Sequence, residues 1–213
     1  MTSTTEPAVT EVGRARVRKE DERLITGRTR WTDNITLPGM VHVAVLRSPV
    51  AHARITGIDA GEAREMPGVL GVYTAEDLDP EGAVALPCAW PISPDMKHPR
   101  RPMLAQGTVN YAGEGVAVVV ARSAAEAEDA LAGIDVDDED LPVVLDMEQA
   151  LAPDAPLVHE DLGTNRNAVW TFDSAEAGSG GDVERAFTDS EVVLTRRFRQ
   201  QRLVPGFMEP RSV

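Results

Sequence analysis

The stretch Val116–Ala121, reading VAVVVA, constrains this chain more than any other. It has no polar residue, is mostly β-branched and is too short for a buried helix. That pattern belongs to a strand buried on both faces. Gly113, Glu114 and Gly115 ahead of it read as a turn. Behind it, Ser123 with Glu126 three residues on has the spacing of a capping box. The helix it opens carries an apolar stripe of Ala127, Ala130 and Leu131, and Gly133 ends it. Ile134 and Val136 then begin another strand, running to Leu141-Pro142. A buried strand followed by an amphipathic helix and a strand needs layers of helix on sheet, so the expectation is an α/β unit with short helices against a mixed sheet.

The stretch from Leu37 to Leu78 repeats the theme. Val41–Leu46 and Val69–Tyr73 are short β-branched runs, and Ala53–Thr56 alternates as a half-buried strand does. Asp59 with Glu62, and Thr74 with Asp77, have capping spacing, and Pro67-Gly68 is a turn. The order predicted is strand, strand, short helix, strand, short helix. Residues 79–107 hold Pro80, Pro87, Pro91, Pro94, Pro99 and Pro102 and read as a long connection. Asp146 with Gln149 predicts a short helix before Pro153. Beyond Asn165, Asn167–Phe172 and Glu191–Gln200 read as strands, and Asp182 caps a helix with Val183, Ala186 and Phe187 on one face.

The 213 residues are 42% hydrophobic, enough for a globular core. A formal net charge of -14 disfavours nucleic acid and anionic membrane surfaces as partners. No apolar run approaches a membrane span, and residues 1–13 lack the apolar segment of a secretory signal, so they read as a disordered start to a cytoplasmic protein.

Candidate chemistry is sparse. Cys88 is the only cysteine, so it can form no intramolecular disulfide and cannot ligate an iron–sulfur cluster alone. A nucleophilic role would need a histidine and a helix terminus, and its nearest histidine, His98, lies in a Pro-rich loop. Trp90 in that loop is either a packing plug or a partner contact, and Trp31 is the expected apolar anchor of residues 14–36. Asp135–Asp140 lacks the glycine and distal glutamate of an EF-hand, so it reads as a charged strand edge. His159 has no second ligand at metal spacing and reads as a surface or capping residue. Gly178–Gly181 lacks the spacing of a phosphate loop. No catalytic or metal-ligating residue is assigned on this reading.

Several pieces together resemble the start of the large, molybdopterin-binding subunit of the molybdenum hydroxylases, the family of xanthine dehydrogenase, aldehyde oxidase and aerobic carbon monoxide dehydrogenase. They are Arg14 with Glu20-Asp21, Gly27, Leu37-Pro38-Gly39-Met40, Arg47-Ser48-Pro49, Ala51–Ile55, Pro67-Gly68-Val69 and Thr74–Leu78. Further on, Val136–Pro142 follows a family strand pattern, with Asp138 where an aromatic is usual, and Ala155-Pro156-Leu157 with His159-Glu160 follows another. The resemblance implies an α/β hammerhead domain over residues 14–160. It implies that 165–213 is the truncated beginning of a molybdopterin-binding domain.

It further implies molybdopterin as the cofactor of the complete enzyme, with none expected on this chain alone. The implied partners are the remaining molybdopterin-binding region and iron–sulfur and FAD subunits. The family's pterin-holding loops, the glutamine near its metal and its late glutamate base all lie beyond the matched region. The ending Arg202–Arg211 resembles the family's R-x-x-P-x-x-M-E-P-R segment. Within it Glu209 is the best candidate for a residue near the site of a complete enzyme, against a structural pairing with Arg202 or Arg211. The expectation is therefore the hammerhead part of an oxidoreductase subunit with a structural and assembly role. The alternative is a stand-alone, non-catalytic α/β domain for assembly or binding.

Overall fold

In the computed structural model, the residues described are 13–81, 84–173, 181–201, 203 and 206. They fall into two units, one drawn from Met1–Gly39 and Arg197–Val213, the other from Met40–Arg196.

The first unit contains α1, Asp21–Ile25, and a 3₁₀ turn at Thr32–Asn34. Glu20 and not a capping side chain precedes α1, and the Arg18 backbone N–H donates to Asp21 Oδ2 at 3.1 Å. Trp31, expected as an anchor, is 48% exposed. Its backbone N–H donates to Asn34 Oδ1, so the residue marks a turn and does not plug a core.

The second unit holds β1, His42–Arg47; β2, Ala53–Asp59; α2, Gly61–Glu65; β3, Val69–Thr74; and α3, Ala75–Leu78. These are followed by β4, Thr108–Val109; β5, Gly115–Ala121; α4, Ala124–Ala130; β6, Asp135–Asp140; and α5, Val183–Asp189. Strands β1-β5-β3 make one sheet and β4-β2-β6 another. This is the α/β arrangement of short helices on sheets that the patterning predicts. Every pairing is antiparallel.

The apolar run is central, as its composition requires. Ala117, Val119 and Ala121, on one face of β5, are fully buried. The other face is buried at Val116 and half-buried at Val118 and Val120, so the strand is wholly enclosed on one side only. The core around it is built of small residues: Ala44, Ala63, Val72, Ala127, Ala130 and Ile134 pack with β5. A second cluster joins Ala105, Val109 and Val116, and Ile58 and Val136 touch both clusters. Small side chains let the helical turns approach closely. A Cβ on Gly133 would stand 2.9 Å from the Ala63 backbone nitrogen.

Two sequence motifs clasp each other at one end of β5. Gly113 N–H donates to Ser48 O and Ser48 N–H to Glu114 O, both at 2.8 Å. The Arg47 guanidinium donates to Gly113 O at 2.9 Å. Gly113 has φ +91°, which explains a glycine in this turn.

Capping spacing succeeds unevenly. Asp77 accepts from the Thr74 N–H at 2.7 Å, Ser123 Oγ accepts from the Glu126 N–H, and Asp182 accepts from the Arg185 N–H. Asp59 is instead the last residue of β2, its carboxylate accepting from the Gly61 N–H two residues on, and Glu62 completes no box. Asp146 accepts from the Glu148 and Gln149 N–H groups, but it opens only a single 3₁₀ turn, Gln149–Leu151.

Two expected strands do not form. Asn167–Phe172 and Glu191–Gln200 are in neither sheet, and Val169, Trp170, Phe172, Val192, Leu194 and Phe198 stay exposed. Alternation supplies an apolar face, but a strand also needs a neighbouring ladder for its N–H and C=O groups. The apolar face of α5 is present as predicted, with Val183 and Phe187 on the surface.

Candidate functional site

Polar side chains from distant parts of the second unit converge on a cleft of about 270 Å³. Its walls come from the start of β2, the end of the Pro-rich connection and the segment around His159. The lining includes His52, Arg54, Arg100, Gln106, Thr108 and His159.

His52 is buried, and its Nδ1 lies 2.9 Å from the Pro142 carbonyl. A carbonyl only accepts, so Nδ1 carries a proton and donates it to Pro142 O. The His52 carbonyl also takes the Leu141 N–H, which ties the Leu141-Pro142 exit of β6 to β2. His159 is half-buried, and burial pushes its pKa below the ordinary histidine value. Asp161 opposes this, while His52 and Arg101 add to it. Arg54 stands opposite Glu139 across the β2–β6 pairing, 3.7 Å away.

Arg100 organises the Pro-rich connection. Its guanidinium meets the largely buried Asp79 carboxylate at 2.5 Å and also reaches Val84 O and Gln106 Oε1. Asp79 takes the Val84 N–H as well, at 2.9 Å. One ion pair thus closes a loop with little regular structure of its own. Asn165 does the same for the next segment: its amide donates to Ala150 O and Pro156 O and accepts from the Val158 N–H. Lys97 and Asn167 join the two segments through the Lys97 N–H to Asn167 O bond at 2.8 Å and the Asn167 amide to Lys97 O.

The residues singled out from the sequence lie on separate surfaces. His159 has a partner environment that its sequence neighbourhood does not reveal, because His52 arrives from the distant bend ahead of β2. Cys88 is exposed and free. It shares a cavity of about 220 Å³ with Met96 and His98, so the fold brings the thiol and its nearest histidine to one surface. Cys88 lies in irregular chain and not at a helix terminus. Trp90 is exposed, which removes the packing-plug reading. Asp135–Asp140 is strand β6, paired with β2 and almost wholly exposed, as a charged strand edge should be. Glu209 and Gly178–Gly180 lie outside the described residues.

Sequence reasoning passed over Glu114 as part of a turn. Its carboxylate is buried and accepts the Asn110 N–H at 2.6 Å, and burial raises its pKa despite that bond. Its position two residues ahead of a wholly apolar run is the only signal the sequence offers. Among the described residues, no group of three or more His, Cys, Asp or Glu side chains converges as a metal site. No chemical step through molybdenum or a pterin is assigned to the described residues.

The sequence model described as aldehyde oxidase and xanthine dehydrogenase, a/b hammerhead domain, matches residues 26–142, more than half of the chain. The chain belongs to this family. It is 34% identical over 201 residues to the carbon monoxide dehydrogenase large chain of Hydrogenophaga pseudoflava, covering 90% of this chain and 24% of that one. It is equally similar, at 34% over 201 residues, to the nicotine 6-hydroxylase large subunit of Paenarthrobacter nicotinovorans, with 94% and 24% covered.

Among solved structures, a Cu,Mo-CO dehydrogenase superposes with a TM-score of 0.65 at 32% identity over 84% of this chain and 23% of that chain. Quinoline 2-oxidoreductase from Pseudomonas putida 86 gives a TM-score of 0.57 at 42% identity over 67% of this chain and 18% of its own. The chain thus spans about a quarter of the length of these curated relatives. It is homologous to large subunits of molybdenum hydroxylases, and its hammerhead fold is theirs. No helix among the described residues is long and apolar enough to cross a membrane.

Proposed function

We propose that this chain is the hammerhead part of a molybdopterin-dependent oxidoreductase large subunit, acting in the cytoplasm. Its role is structural and in assembly, while catalysis belongs to the remaining molybdopterin-binding region. On this reading residues 14–160 are the hammerhead domain, residues 165–213 begin the next, and iron–sulfur and FAD subunits complete the enzyme.

The observation that carries the proposal is the family match over residues 26–142 in a chain covering 24% of its relatives. The exposed apolar side chains from Val169 to Phe198 support it. Such side chains gain about 25 cal/mol per Å² when a partner covers them.

The test is co-expression of the full chain with a separate polypeptide supplying the remaining molybdopterin-binding region, together with the two further subunits. The expected result is co-purification, molybdenum in the complex, and amide protection at residues 191–200 that appears only in the complex. A chain that stays monomeric beside its candidate partners, with 191–200 already protected, would overturn the proposal and favour a stand-alone binding domain.

A further inference from the structure

A cavity of about 200 Å³ in the second unit is lined from two terminal strands, by Leu46 and Arg47 at the end of β1 and by Val136 and Asp138 on β6. Strand β1 closes one edge of its sheet and β6 one edge of the other. Each such edge leaves main-chain N–H and C=O groups outside any ladder. Val109 and Val116, both fully buried, give the cavity an apolar floor. Ile134 precedes Val136 on the lining. Ile134, Val136 and Asp138 are spaced two apart and so share one face of the strand. They set an order, two apolar residues and then a carboxylate, over roughly 13 Å, the length of about four extended residues.

Asp138 is the member that does not fit an apolar wall. It stands opposite Ile55 of β2, itself packed on the core. No described residue donates a hydrogen bond to its carboxylate or forms an ion pair with it. Arg47 on the other bank is turned to Gly113 O. Asp137 and Glu139, one position to either side, fall on the opposite face, where Glu139 meets Arg54 at 3.7 Å. Water serves the Asp138 carboxylate while the cavity is open. Covering it without a cation would leave a desolvated, unpaired charge.

An occupant must therefore bury apolar surface, bring a positive charge to one end, and offer main chain to the open edges. An extended polypeptide segment does all three. A small apolar molecule does only the first. A second copy seated through the same strand would set its own acidic β6 against this one. We propose that the cavity is a docking groove for an extended segment of the remaining molybdopterin-binding region, with an apolar side chain over Val109 and Val116 and a Lys or Arg at Asp138. The inference rests on the proposed role of this chain as part of a larger subunit. A chain covering 24% of its relative leaves ample further sequence to supply the segment.

The test uses the full chain and the separately purified remaining region with its two further subunits. Amide exchange of the chain, free and in the complex, should show new protection at residues 134–140. Titration of the immobilised chain should show Asp138→Lys weakening association at least about tenfold, with Asp138→Glu within a few-fold of wild type. Asp137→Lys makes the same change of charge on the opposite face and should stay within a few-fold of wild type, which separates local pairing from net charge. Asp137 and Asp138 are both exposed, and circular dichroism confirms that each variant keeps its fold. A complex that forms with residues 134–140 unprotected, or equal effects of Asp138→Lys and Asp137→Lys, would overturn the groove and leave the proposed function standing. Failure of any complex to form would overturn both. Dimers of the free chain in sedimentation, with residues 134–140 already protected, would assign the groove to a second copy and overturn the inference.

Discussion

Replacing Gly133 with alanine should destabilise the protein, against the usual effect of giving a glycine a side chain. A Gly→Ala change at a compatible site stabilises by about 0.4–1 kcal/mol, because the unfolded chain loses freedom. At Gly133 the new methyl would stand 2.9 Å from Ala63 N and 3.1 Å from Ala63 Cα. Both neighbours are backbone atoms of α2, which cannot rotate away as a side chain would. Relief therefore requires the turn at Leu131–Gly133 and α2 to separate, which disturbs the packing of Ala63, Ala130 and Ile134. Overpacking of this kind costs about 1–3 kcal/mol, so the net loss should be about 1–2 kcal/mol.

Gly181 is the matched control, since nothing lies within 4 Å of a Cβ there. Gly181→Ala should be neutral or slightly stabilising. Urea denaturation of the full chain reads both through the midpoint at constant slope. A third variant isolates the cause: Gly133→Ala combined with Ala63→Gly should remain destabilised, because removing the Ala63 methyl leaves the backbone contacts in place. A Gly133→Ala midpoint at or above wild type, or full rescue by Ala63→Gly, would refute the backbone-contact argument.

Arg100→Met should cost about 1–2 kcal/mol, discounted from the value for a fully buried pair because Arg100 is partly exposed, and should speed amide exchange across residues 84–101. Asn165→Ala removes three hydrogen bonds, should cost about 1–3 kcal/mol and should lose protection between residues 150 and 165 first. For Glu114, burial raises the folded pKa above the ordinary 4.5, so its favourable contribution is present in acid and is lost as pH rises through the folded value. Glu114→Gln keeps an acceptor for the Asn110 N–H without the charge, so its stability relative to wild type should improve from acid to neutral pH; parallel stability curves would contradict this. His159 has a folded pKa below the ordinary 6.5, so its contribution is present above that value and is lost as pH falls through the folded one. His159→Gln should flatten the decline below pH 6.5, measured by chemical denaturation across that range.

The sequence alone determined the elements that rest on local chemistry. An unbroken apolar run can satisfy itself only as an interior strand, and β5 is one. Ser123 and Asp182 cap helices because the N–H each accepts lies three residues away on the same chain, and Thr74 donates its N–H and hydroxyl to Asp77 at the same spacing. The charged exterior of β6 was equally legible, since a run so rich in carboxylates reads only outward. Tertiary structure decided whatever depended on distant partners. Asn167–Phe172 and Glu191–Gln200 have the alternation of strands but no ladder to join, so the pattern stayed a surface. The candidate clefts depend on such partners too: His159 gains its altered proton affinity from burial beside His52, a neighbour 107 positions earlier in the numbering. Glu114 is buried where Ser48 and Arg47 fold over its turn. Burial and proximity between remote segments set these properties, and neither is encoded in the spacing of a single stretch.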